Sequence, residues 1–119
     1  AITATNDGNV RETYSMRATT ATVGTSWILG ATTGTHVANL RAAIHGSRPT
    51  ISQFAGNDDL TYLDQTATSD IFSINGTSTG VNVDITENRD LWVNLNMPLQ
   101  SDTAIQQDLT LTITATEEP

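Results

Sequence analysis

Along most of the chain, apolar and polar residues alternate with a period of two, the repeat of a strand with one dry and one wet face. Ile2 and Ala4 alternate with Thr3 and Thr5. Asn6-Asp7-Gly8-Asn9 follows as a turn, because Asp-Gly supplies the positive φ of a tight reversal. The alternation resumes over 10–18, with Tyr14, Met16 and Ala18 on one face and Arg11, Thr13, Ser15 and Arg17 on the other. Ser26-Trp27-Ile28-Leu29, between Gly24 and Gly30, predicts a short buried strand with Trp27 as a core anchor. Residues 36–44 fit either a strand or a short helical stripe of Val37, Leu40, Ala43 and Ile44, and the all-β surroundings favour the strand.

The stretch 45–68 is punctuated by Gly46, Pro49, Gly56 and Asn57-Asp58-Asp59, and predicts a long ordered loop with one short strand. A strand is expected over 70–75 on Ile71, Phe72 and Ile74, a turn over 76–80, and a strand over 81–85 on Val81, Val83 and Ile85. After a turn at 87–90, Leu91, Val93, Leu95 and Met97 form an apolar face opposite Trp92, Asn94 and Asn96, and Pro98 stops the strand. The last strand sets Leu109, Leu111, Ile113 and Ala115 inward and threonines outward. Eight or nine such segments in 119 residues predict one all-β sandwich domain with at least seven strands in two sheets. Trp27, Leu95, Leu111 and Ile113 are expected in its core, and Trp92 outward or at an interface.

Charge narrows the partners. The net charge is −8, lysine is absent, and the five basic residues are Arg11, Arg17, Arg41, Arg48 and Arg89. No basic stripe exists for nucleic acid, and an anionic membrane surface would repel the chain. No apolar stretch is long enough to insert in a membrane. Without cysteine there is neither disulfide nor thiolate chemistry. A chain that starts at Ala1, with no apolar leader, reads as a mature secreted one, and the expected location is extracellular or at the cell surface.

No catalytic set is visible, so no enzyme is expected. There is no nucleophile elbow, phosphate loop or dinucleotide fingerprint, and His36 and His45 read as ordinary surface histidines. No cofactor is expected beyond Ca²⁺. Asn57, Asp58, Asp59 and Asp64 form an oxygen-rich group in the irregular loop, the ligand type this ion takes, although turn-forming Asn and Asp explain them as well. Asn75-Gly76-Thr77 is a glycosylation sequon at an expected turn. Trp27, Trp92, Tyr14 and Tyr62 are the aromatic candidates for stacking on a surface polysaccharide.

Two segments carry a resemblance. Residues 3–16, Thr-Ala-Thr-Asn-Asp-Gly-Asn-Val-Arg-Glu-Thr-Tyr-Ser-Met, are similar to the first hairpin of immunoglobulin-like extracellular domains, and 109–116, Leu-Thr-Leu-Thr-Ile-Thr-Ala-Thr, to their closing strand. The organisation resembles secreted fibre subunits of the TasA and camelysin kind and archaeal bundling pilins. That resemblance covers about a fifth of the chain. It implies an immunoglobulin-like or jelly-roll sandwich that polymerises with copies of itself by lending a terminal strand to a neighbour. Ala1, Ile2, Thr3, Ala4 and Thr5 are the expected donor strand. The expected function is a structural subunit of an extracellular filament or surface layer. The alternative is a carbohydrate-binding or adhesin module of a secreted protein, with Trp92 and the 45–68 loop as its site.

Overall fold

The computed structural model describes residues 1–20, 27–102 and 104–119. Among these residues, seven strands form two sheets: β1 (Ile2–Thr5), β2 (Glu12–Thr20), β3 (Ile28–Leu29), β4 (Val37–Ile44), β5 (Gln65–Thr66), β6 (Asn88–Asn96) and β7 (Leu109–Glu117). One sheet has the order β1-β6-β4-β3 and the other β5-β2-β7. Every named pairing is antiparallel except β3 with β4. The chain is thus an all-β sandwich, and residues 37–44 are strand.

The core lies between β2 and β4. Met16 and Ala18 meet Leu40, Ala42 and Ile44, with Leu60, Ala67, Phe72 and Leu91 completing the cluster. A smaller cluster, Ala43, Phe54 and Ile74, sits on the outer face of the four-stranded sheet, with Trp92 packed against it. Two single 3-10 turns, Ile51–Gln53 and Gly56–Asp58, build the irregular 45–68 loop as expected, and β5 is its short strand.

Four expectations give way. Residues 70–75 are not a strand. Asp58 is fully buried, and its Oδ1 accepts the Phe72 N–H at 2.6 Å, which draws Phe72 to φ 57° and breaks the extended run. Residues 81–85 make only a single bridge, Val83 with Glu12, because Asn82 takes φ 50°. The expected turn at 87–90 is instead the start of β6, recruited from residue 88 by pairing with β1. Trp27 is only partly buried and donates its indole N–H to Ser101 at 3.2 Å, while Ser26 lies outside the described residues.

A further departure positions the site. Leu95 is 39% exposed, Val93 48% and Met97 59%, and Leu111 and Ile113 are only half-buried. All belong to faces that the alternation assigns to the core. They are uncovered because the sandwich is closed along one side only. There the chain from Asp59 onward crosses between the sheets, with Leu60 N–H bound to the Leu40 carbonyl at 2.8 Å and Thr61 accepting from Ala18 N–H at 2.8 Å. β6 and β7 flank the opposite side, with nothing among the described residues laid over Val93 and Leu95.

Candidate assembly interface

The open side is built from strand register. Leu91, Val93 and Leu95 pair with Ile44, Ala42 and Leu40, so the three share the inward face of their sheet. Leu40 gives its carbonyl to Leu60 on the side away from β6. Its register partner Leu95, and Val93 two residues earlier, therefore turn their own N–H and C=O away from β4. β1 covers that edge only from Asn88 to Leu91. Beyond it the main-chain groups of Val93 and Leu95 have no strand partner among the described residues.

β7 repeats the arrangement on the other sheet. Tyr14 and Ala18 spend their main-chain groups on Gly80, Ala67 and Thr61, so their register partners Ala115 and Leu111 direct theirs outward. Leu111, Ile113 and Ala115 face inward beside this free edge, and Thr110, Thr112, Thr114 and Thr116 face the opposite way. No charged residue lies between Asp108 and Glu117 or between Asp90 and Asp102. Natural sheet edges are usually blunted by charge, proline or a bulge. Over 91–96 of β6 and 109–116 of β7 these two edges carry neither charge nor proline.

The expected donor residues Ala1–Thr5 stand in their own sheet. Ile2 to Thr5 pair with Leu91 to Asn88, Thr3 Oγ1 donates to Asp90 at 2.8 Å, and Thr5 Oγ1 to Asn88 at 2.7 Å. All but Ala4 are exposed. Asn6, fully buried, ends the strand: its Nδ2 donates to the carbonyls of Val10 and Val83, and its N–H to Glu87.

The candidate calcium ligands are engaged separately. Asp58 accepts the N–H of Ala55 and of Phe72 through its two oxygens, and burial pushes its carboxyl above the usual value against those bonds. Asp59 pairs with Arg41 at 2.9 Å and accepts from Asn39 at 2.7 Å. Asp64 faces Arg17 at 3.7 Å, and Asn57 donates to Asp70. Among the described residues no three acidic or histidine side chains converge. Asn75 lies on an exposed two-residue turn with Gly76, at φ 59° and 65°, and Thr77 is exposed beside it.

The aromatic candidates have separate settings. Tyr14 is in the core, and Trp92 packs on Phe54 and donates its indole N–H to the His45 carbonyl at 2.9 Å. Tyr62, 72% exposed, borders an apolar cleft of about 450 Å³ with Ile28 and Leu29. A polar hollow of about 590 Å³ on the outer sheet face is lined by Thr32, Thr33, Asn39, Arg41 and Asn96. Its Asn39, Arg41 and Asn96 donors are spent on Gly30, Asp59, Phe54 and one another. Sequence reasoning missed the Val93-Leu95-Met97 strip as a surface. The alternation that marks it is the same for a core face and an interface face. No family model, characterised protein or solved structure matches the chain.

Proposed function

We propose that this chain is a structural subunit of an extracellular filament or surface layer, in which strands of neighbouring copies complete one another's sheets. The observation that carries the reading is the open side. Beyond Leu91 of β6 and along β7 the two sheets end there in edges unpaired among the described residues, beside apolar side chains that are partly exposed. Such an edge binds another strand through main-chain bonds, and alternate side chains set the register. The N-terminal strand supports the same reading. It is exposed, and its ladder to β6 could be made identically to the β6 of a neighbour, so exchange between copies would cost little in contacts.

Electron microscopy and analytical ultracentrifugation of the concentrated chain test this. Fibres or ordered sheets are expected. A chain that stays monomeric at high concentration and physiological salt would abolish the reading.

A further inference from the structure

We infer that the open side is a two-fold self-association surface, on which β7 of a second copy lies antiparallel along the free edge of β6 and β6 of that copy lies along β7. This deepens the self-assembly reading, although it requires only two copies.

Three observations place it. First, the two free edges flank the same side of the sandwich and run antiparallel. β6 is antiparallel to β4 and β7 to β2. β2 and β4 are antiparallel in turn, because Ala18 lies level with Leu40 through Leu60-Thr61, and Tyr14 level with Ile44 at Gly80. A two-fold axis parallel to the strands therefore joins each edge to its opposite in the second copy, giving two continuous sheets.

Second, that same levelling fixes the register. Val93 pairs with Ala42 and Leu95 with Leu40, while Ile113 pairs with Met16 and Leu111 with Ala18. Val93 then faces Ile113 of the second copy, and Leu95 faces Leu111. All four point their main-chain groups outward and their side chains inward, so the ladder and the apolar strip continue together.

Third, charge agrees with the register. The strands are uncharged along the contact, which lets two chains of net charge −8 meet. Four residues past Val93–Ile113, Arg89, which within its own chain donates to the Thr79 carbonyl and pairs with Glu87, comes opposite Glu117 of the second copy once Ala4 has left. A shift of two residues would set Glu87 opposite Glu117 instead. Seven β7 residues span about 25 Å, and two sheets with their side chains about 20 Å, so each copy contributes roughly 500 Å². The total, roughly 1,000 Å², is where specific interfaces begin.

One consequence follows from β1. Past Ile113 the incoming strand reaches Leu91, where Ile2 now stands. In this register Ala115, Thr116 and Glu117 of the second copy take the places of Ile2, Thr3 and Ala4 opposite Leu91, Asp90 and Arg89. Pairing lifts β1 from β6 and frees it.

The chain has no cysteine, which makes cross-linking clean. Opposed strand residues lie about 5.5 Å apart at Cα, within reach of a disulfide. Val93→Cys mixed with Ile113→Cys should form a cross-linked dimer under mild oxidation, well above Val93→Cys mixed with Ile85→Cys, a control on a residue that is also exposed. No excess over the control overturns the contact. By sedimentation, Val93→Lys should weaken the dimer about tenfold or more, because a lysine would be buried in an apolar strip. Deleting residues 1–5 should tighten the dimer. An unchanged Val93→Lys dimer with a folded circular dichroism spectrum, or a weaker dimer after the deletion, also overturns it. Fibres from wild type without the cross-link sink this contact and leave the filament reading. The cross-linked dimer without fibres does the reverse.

Discussion

Asp58 shows how one buried side chain sets the path of a whole loop. Its oxygens hold the N–H groups of Ala55 and Phe72, and Phe72 in turn accepts from Ile44 N–H at 2.8 Å. Asp58→Asn keeps the shape but turns an NH₂ toward one of the donors. The expected cost is about 1–3 kcal/mol, the penalty of a buried donor without an acceptor, read by urea unfolding. The pH dependence has a definite sign. Burial raises the carboxyl above its ordinary value of 3.8. A folded chain that holds the proton more tightly than the unfolded one has this group's contribution in full below that ordinary value. The contribution is lost as pH rises through the raised one. Asparagine does not titrate, so the advantage of wild type over Asp58→Asn should shrink as pH climbs from 3.8. An advantage that grows over that window would contradict the assignment.

Among the elements, the loop that crosses from β5 to β6 is held by close packing as well as by main-chain bonds. Gly80 is buried where a Cβ would stand 2.7 Å from Ile44 Cδ1 and 2.9 Å from Ala67 Cβ. Gly80→Ala should cost about 1–3 kcal/mol by overpacking. Gly46→Ala, where nothing lies within 4 Å, should stay near neutral. Thermal melts of the two variants side by side check the contrast, and equal melting temperatures would refute it. The loop also explains why the sandwich closes on one side only. Residues 59–83 spend their main-chain bonds on the far edges of β4 and β2, through Leu60, Thr61, Ala67, Phe72, Gly80 and Val83. No comparable segment among the described residues reaches β6 and β7.

For the whole molecule, self-assembly has to overcome like charge. Two copies at −8 repel one another, and salt screens that repulsion over about 10 Å at 0.1 M. Association should therefore be faster at higher ionic strength and as pH falls toward the sequence pI of 4.3. Light scattering across a salt series checks it. Rates that fall with salt would mean that opposite charges, rather than apolar strips and strand edges, drive the contact.

The period-two alternation is a local property, so the sequence by itself determined the fold class and most strands: 2–5, 12–18, 38–44, 91–96 and 109–116 carry it, while the start of β6 at 88–90 does not. Asn75-Gly76 likewise takes its turn conformation from residue chemistry alone, glycine and asparagine being the side chains that tolerate positive φ. The alternation could not say which inward faces would be covered. Leu40 and Leu95 are register partners with the same pattern around them, yet Leu40 is 6% exposed and Leu95 39%. The difference is what lies opposite: β2 over β4, and nothing among the described residues over the end of β6. The same limit applied to 70–75 and 81–85, where a buried carboxylate and positive φ at Phe72 and Asn82 overrode an alternation as clean as that of the true strands. It applied also to Asn57, Asp58, Asp59 and Asp64, close in sequence but drawn to separate partners by the fold. Burial, pairing and convergence depend on residues distant along the chain. Only the tertiary structure decided that this sandwich has one closed side and one open side.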